Sequence, residues 1–266
     1  MKVLITGAGG MLGRAVVWAA ARDPEAPAVV PLDRAALDVT DRAAVEAALE
    51  REAPDAVIHC AAYTAVDRAE DEPERAAAVN VEGARHVAVA AAHRGAALLH
   101  VSTDYVFDGR ARRPYRPSDP PAPLGVYGRT KAEGEAAVRD AVREGGGRAL
   151  IVRTGWLYGP GGRNFVDTVL ARARAGETLR VVDDQRGGPT WTRSLGPALL
   201  ELVRRAAPAP GEATVLHLAD RGEASWYELA CAALTLAGVD AAVEPVGSDT
   251  WAAPAPRPAY AVLDIG

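Results

Sequence analysis

Apolar residues in this chain fall into short, strand-length runs separated by longer alanine-rich stretches with apolar positions at helical spacing. That pattern predicts strands from Lys2 to Thr6, Ala28 to Leu32, Asp55 to His59, Ala97 to Ser102 and Arg148 to Arg153. Helices are predicted between them, from Arg14 to Arg22, Arg42 to Arg51, Glu74 to Arg94 and Tyr127 to about Val142. Strands alternating with helices of this length build parallel βαβ units, so the expected fold class is α/β, a doubly wound Rossmann-type sheet. After Arg153 the alternation breaks at the aromatic, turn-rich segment from Thr154 to Pro160. A helix to about Arg174, a strand from Leu179 to Val182 and a helix from Trp226 to Ala237 belong to this second part. A helix from about Ser194 to Arg205 and a strand from Thr214 to Leu218 return to the first sheet, and the proline-rich tail from Pro245 to Ile265 reads as irregular. The expected organisation is a nucleotide-binding domain over 1–153, rejoined by about 190–218, with a smaller interleaved substrate lobe over 154–189 and 219–266.

The first strand runs into Gly7-Ala8-Gly9-Gly10-Met11-Leu12-Gly13 and then a helix, the order of a dinucleotide-binding start. Gly7, Gly10 and Gly13 follow GxxGxxG spacing. Glycines there permit a tight turn, a backbone close to a diphosphate, and close contact of helix and strand; the free N–H groups at the helix start would meet the phosphate oxygens. Asp33 ends the second strand, where an acid accepts from adenosine ribose hydroxyls, while Arg34 beside it suits a 2′-phosphate. The two pull in opposite directions on cofactor choice. Asp38-Val39 leads to Thr40 and Asp41, which cap the next helix. Small residues at Cys60-Ala61-Ala62-Tyr63, after the third strand, either let a flat ring pass or serve tight packing. Asn80, a mediocre helix former, is either solvent-facing or a buried polar anchor.

Ser102-Thr103-Asp104 stands at the C-terminal end of the fourth strand, the sheet edge where open α/β folds bind ligands. The proline-rich loop from Tyr105 to Val126 is long enough to suggest a functional role and delivers the chain to Tyr127. Tyr127 and Lys131 are one helical turn apart and share a face. An ammonium ~5 Å from a phenol, at an effective dielectric of about 20, favours the phenolate by roughly 3 kcal/mol, or about two pKa units. The spacing is short and common, so on its own it reads either as a solvated helical pair or as a tyrosine acidified by its lysine, able to give and retake a proton.

A formal charge of −5 with no basic block argues against a nucleic-acid partner. The N-terminal apolar run is too short for a signal peptide, and no window approaches a membrane span. Cys60 and Cys231 form no CxxC pair and read as unpaired thiols of a reducing cytoplasm. His59, His86, His93, His100 and His217 show no metal-ligand spacing, so structural roles are expected and no metal site.

Five segments carry a resemblance: Thr6 to Gly13, Cys60 to Asp67, Ser102-Thr103-Asp104-Tyr105-Val106-Phe107-Asp108-Gly109, Val126 to Lys131, and Arg257-Pro258. Together they are similar to the extended short-chain dehydrogenase/reductase superfamily and, within it, to the dTDP-4-dehydrorhamnose reductase family, from Met1 to about Asp264. The resemblance implies reduction, by NADPH or NADH, of the C4 ketone of a dTDP-4-keto-6-deoxysugar, dTDP-4-dehydrorhamnose, to dTDP-L-rhamnose. It implies that Tyr127 protonates the new alkoxide, Lys131 holds the nicotinamide ribose and Thr103 bonds the same oxygen. Asp104 and Trp156 would contact the sugar, and Arg257 the substrate diphosphate. Gly10, Met11, Leu12, Asp33, Asp38, Val39, Ala61, Ala62 and Tyr63 fall at cofactor positions, and Asn80 at the helix asparagine of the superfamily. Sugar-nucleotide 4,6-dehydratases carry an acid–acid pair after the threonine; here Tyr105 follows Asp104, which fits ketone reduction better than dehydration. Cys60 replaces a more familiar alanine or asparagine. Family members continue through a final helix where this chain stops at Gly266, so either the chain is cut short or it manages without that cover. A homodimer is the expected assembly. Two other readings stand beside the first: a 4-ketoreductase for a different dTDP-6-deoxysugar of an antibiotic or streptose-type pathway, and a non-catalytic dinucleotide-binding regulatory subunit. Keeping Thr103, Tyr127 and Lys131 together argues against the last.

Overall fold

The computed structural model describes residues 1–205, 208–250 and 253–266. At its centre lie six parallel strands: β1 (Lys2–Thr6), β2 (Ala28–Leu32), β3 (Ala56–His59), β4 (Ala97–Thr103), β5 (Arg148–Thr154) and β10 (Ala213–His217). Their order is β10-β5-β4-β3-β1-β2, with the topological switch between β1 and β3. Along β1 the side chains alternate between two cores. Leu4 joins Val57, Leu98 and Ile151 on one face; Val3 and Ile5 join Ile58, Leu99 and Val152 on the other. Burial on both faces is what a parallel sheet requires.

On the first face pack α2 (Arg42–Glu52), α5 (Gly83–His93) and α6 (Val126–Gly145); on the second, α1 (Met11–Ala20) and α8 (Thr192–Arg205). Leu195, Leu199 and Val203 of α8 recur every four residues and meet Leu12, Val16 and Ala19 of α1. The α1–α8 approach is close because Gly196 has no side chain: a Cβ there would lie 2.8 Å from the Ala15 carbonyl.

The predicted helix from Glu74 to Arg94 is divided. It consists of α4 (Pro73–Ala77), a π-helical turn at Ala78–Glu82, and α5; a further short helix, α3 (Val66–Asp71), precedes it. Likewise α1 begins at Met11, not Arg14: Gly10 is extended and its carbonyl accepts the first helical bond from Arg14 N–H at 2.9 Å.

Beyond the sheet, β7 (Leu179–Val182) pairs in parallel with β12 (Val243–Val246), and α7 (Phe165–Arg174) and α9 (Trp226–Ala237) pack around Val169, Leu179, Ala230 and Leu234. β12 corrects the expectation of an irregular tail from Pro245. A proline is tolerated because the strand lies at an edge and β7 supplies the donors, Leu179 N–H to Ala242 and Asp183 N–H to Val246. Residues 251–252 of that tail lie outside the described residues. Three short ladder segments, β6 (Leu157–Tyr158), β8 (Arg186–Gly187) and β9 (Thr190–Trp191), tie this part down, with β11 (Ala224–Ser225) paired to β8. Among the described residues no helix is long and apolar enough to cross a membrane, and no group of three His, Cys, Asp or Glu could hold a metal ion.

Candidate active site

At the C-terminal end of the sheet lies a cavity of about 1030 Å³, walled by the strand ends, α6 and the second part of the chain. Of the residues singled out by sequence, Gly7, Gly10, Met11, Leu12, Gly13, Asp33, Arg34, Asp38, Val39, Ala61, Ala62, Tyr63, Thr103, Asp104, Tyr127, Lys131 and Trp156 line it. Arg257 does not. Its guanidinium is held 2.9 Å from the Asp67 carboxylate on α3 and donates to Ala255 O, so that positive charge already has a partner.

One half of the cavity is a cradle of backbone. Gly7 is left-handed (φ 65°), and a Cβ on it would stand 2.6 Å from Ala61 N. At Gly13 a Cβ would press into Ala8 Cα at 2.7 Å. Both positions need glycine to let β1, the turn and α1 close up. The N-terminus of α1, uncapped by any side chain, then presents free N–H groups to the cavity. Asp33 accepts from Ala36 N–H at 3.0 Å, which turns the chain at the end of β2. Asp38 accepts from Thr40 N–H and its hydroxyl, bonds that hold its carboxyl below the usual range. A turn with no side chain larger than that of Ala8, a helix start without a cap, and the small Ala61 and Ala62 fit a dinucleotide whose diphosphate lies on α1 and whose ring passes β3.

Asn80 resolves as the buried anchor. It is 1% exposed on the π-helical turn; its Oδ1 accepts from Tyr63 N–H at 2.8 Å, and its Nδ2 donates to Tyr63 O at 3.2 Å and Thr130 Oγ1 at 3.0 Å. The loop after β3 is thereby fastened to the helix that carries Tyr127 and Lys131. Gly134 of α6 lies against the Asn80 backbone, too close for any side chain.

The other half holds the reactive groups. Thr103 Oγ1 donates to Asp104 Oδ1 at 2.9 Å and accepts from Tyr105 N–H at 3.2 Å. Asp104 is 1% exposed, and its Oδ2 has no hydrogen-bond partner among the described residues. Burial pushes its carboxyl up to about 7 against the pull of the Thr103 bond. Gly155 makes room for it; a Cβ there would come within 2.5 Å of Asp104 Cγ.

Tyr127 sits in the first turn of α6, with the Tyr105 ring edge-on at 5.5 Å. Here the structure corrects the expectation of an acidified phenol. Burial pushes the Tyr127 hydroxyl up to about 12, hydrogen bonding with Thr103 pulls it down, and Asp104 raises it. Lys131 is not among its perturbing groups, because the ammonium donates to Val101 O on β4 at 2.7 Å. Burial brings Lys131 itself down to about 8, opposed by Glu135 and Cys60. The phenol is a guarded proton donor rather than a standing phenolate.

Sequence reading singled out Trp156 but missed Trp226, Phe165, Arg163 and the Glu135–Arg153 pair. Trp156, at φ 50°, lies flat on Trp226 of α9, ring centroids 3.5 Å apart and planes 2° from parallel. Trp226 lines the cavity, as do Phe165 and Arg163; its Nε1 donates to Gln185 Oε1 at 3.2 Å. A tryptophan just after the capping residue Ser225, in an aromatic-poor chain, was the available signal. Behind Thr103, Ser102 Oγ donates to Glu135 Oε1 at 2.6 Å, and Arg153 forks onto both Glu135 oxygens at 2.8 Å.

Comparison with known proteins agrees with this geometry. The chain is 47% identical over 262 residues to the dTDP-4-dehydrorhamnose reductase of Streptomyces griseus, covering 98% of this chain and 84% of that one. It is 45% identical over 265 residues to the probable dTDP-4,6-dihydroxy-2-methyloxan-3-one 4-ketoreductase of Streptomyces antibioticus, covering 99% and 86%. The crystal structure of dTDP-4-dehydrorhamnose reductase from Bacillus anthracis in complex with NADP superposes with a TM-score of 0.92 at 36% identity, covering 100% of this chain and 90% of that one. The RmlD substrate binding domain family matches residues 1–266. By that match and those identities, the chain belongs to the RmlD substrate binding domain family.

Proposed function

We propose that this chain is an NAD(P)H-dependent sugar-nucleotide 4-ketoreductase that converts dTDP-4-dehydrorhamnose to dTDP-L-rhamnose. The observation that carries the reading is the convergence of Thr103, Tyr127 and Lys131 on one cavity whose other half is a glycine cradle at a helix N-terminus. A bound reduced nicotinamide supplies the hydride for the C4 ketone. Tyr127 delivers its proton to the oxygen as negative charge grows there, which turns a weak acid into a timely one. Thr103 bonds the same oxygen by turning its hydroxyl proton, held by Asp104 Oδ1 in the free protein, onto the growing alkoxide. Lys131 holds the ribose and carries the positive charge that balances the phenolate left after proton transfer. Gly7, Gly10, Met11, Leu12 and Gly13 hold the diphosphate, Ala61, Ala62 and Tyr63 flank the ring, and Asp38 and Val39 border the adenosine side. Asp33 suits ribose hydroxyls and Arg34 a 2′-phosphate, so the cofactor is NADPH or NADH, and nicotinamide oxidation measured with each decides between them.

The segments 154–189 and 219–266 form the substrate lobe, with Asp104 and Trp156 at the sugar. Arg257 would have to leave Asp67 to reach the substrate diphosphate. The charge of −5 supports a small-molecule partner over nucleic acid or membrane, and a homodimer in the cytoplasm is the assembly proposed. The 45% identity to the Streptomyces antibioticus protein supports a second reading, reduction of another dTDP-6-deoxy-4-ketosugar. Nicotinamide oxidation with dTDP-4-dehydrorhamnose and with other dTDP-4-ketosugars decides between them. Turnover with none of them while cofactor still binds would instead favour a regulatory subunit.

A further inference from the structure

Tyr127, Lys131 and Glu135 recur at every fourth position of α6 and form one stripe facing the sheet. Lys131 is 2% exposed and Glu135 is fully buried. Among the described residues the Lys131 ammonium reaches no carboxylate; its bond goes to the Val101 carbonyl at 2.7 Å. The next residue on β4, Ser102, donates to Glu135 at 2.6 Å, and the one after is Thr103. Glu135 is also forked by Arg153 at 2.8 Å and reached by Arg139 at 3.1 Å. Stability alone does not account for such a cluster, since a buried ion pair is often no better than apolar residues of the same volume.

We propose that Glu135 is a positioning residue for the reductase reaction: its carboxylate, locked by Ser102 and Arg153, keeps Lys131 protonated and pinned to β4 beside Thr103. The inference rests on the reductase reading for its effect on turnover, but not for its effect on Lys131. The other titratable groups around Lys131 are His59 on β3, Cys60 just after it, His100 on β4 and Tyr127 on α6. Burial holds His59 down at about 3 and His100 well below its usual value, and pushes Cys60 and Tyr127 up to about 12, so all four are neutral around pH 8. Glu135 is different. Burial raises its carboxyl, but Arg153, Ser102 and Arg139 together carry it below the usual range, so it is the anion that opposes the desolvation of Lys131.

The test sets charge against shape. Glu135→Gln keeps the shape and removes the charge, whereas Glu135→Asp keeps the charge and shortens the arm. Lys131 is followed by the ¹³Cε shift of labelled lysine in the cofactor-free protein, assigned with Lys131→Arg, and the alkaline limb of kcat is recorded in parallel. The expected result is that Glu135→Gln lowers the Lys131 midpoint by about one pH unit and the limb moves with it, while Glu135→Asp stays within a few tenths of wild type. A wild-type midpoint in Glu135→Gln, or an equal fall in both variants, overturns the proposal. If Glu135→Gln strands Arg153 and does not fold, the double variant with Arg153→Met removes that cation and the same midpoint decides. A shifted midpoint without turnover on any dTDP-ketosugar leaves the Glu135–Lys131 relationship standing and removes the reductase reading.

Discussion

Lys131 gives its ammonium to the carbonyl of Val101, 2.7 Å away, and so belongs to the strand that carries Thr103 as much as to its own helix. The lysine therefore does not preset Tyr127 as an acid in the free protein. It stands ready to hold a ribose and to balance charge once a proton has left the phenol.

Asp104 makes the fold sensitive to pH. Its carboxyl is raised from 3.8 to about 7 by burial, so between these values the folded chain keeps a proton that the unfolded chain has lost. Stability then falls as pH rises through that window, by roughly 4 kcal/mol for a shift of this size. Asp104→Asn removes the titration. Urea unfolding at pH 5 and pH 8 is expected to show a smaller difference for the variant than for wild type; equal differences would contradict the burial of an uncompensated carboxyl.

Asn80 fastens the Tyr63 backbone to Thr130, spanning from the loop after β3 to α6. Asn80→Ala leaves both Tyr63 backbone groups without that partner, at a cost of about 1–3 kcal/mol for a buried unpaired group. Cofactor affinity is expected to fall several-fold along with thermal stability, as read by titration calorimetry and calorimetric unfolding. Unchanged affinity would confine Asn80 to a structural part.

How far the sequence reached follows from how local each signal was. The glycine turn, β1 and the Tyr127–Lys131 pair on α6 are read within a few residues, because periodicity and spacing fix them. Asn80 needed partners 17 and 50 residues away and a π-helical turn, and spacing predicts neither. The acidity of Tyr127 was misjudged because charge spacing was visible and burial was not. Trp226 reaches the cavity from a part of the chain whose position depends on the β7–β12 and β8–β11 ladders, of which only the β7 strand was read; its partner β12 carries Pro245, and β8 and β11 are two residues each.

The Trp156–Trp226 stack offers a further check. Trp156 is held at a backbone angle unusual for a bulky residue, so its ring depends on a neighbour to stay placed. Trp226→Leu is expected to raise KM for the sugar nucleotide by roughly tenfold, the loss of about 1.4 kcal/mol of stacking and placement, with less effect on cofactor affinity. Equal effects on both ligands would point to general loosening instead.

The central claim is that Tyr127 supplies the proton. Turnover of dTDP-4-dehydrorhamnose by Tyr127→Phe, measured alongside cofactor affinity, tests it most directly. The account predicts a fall in kcat of about 10²–10⁴-fold with cofactor bound nearly as tightly as in wild type. Wild-type turnover in the variant would contradict it, for then the proton reaches the sugar oxygen by another route.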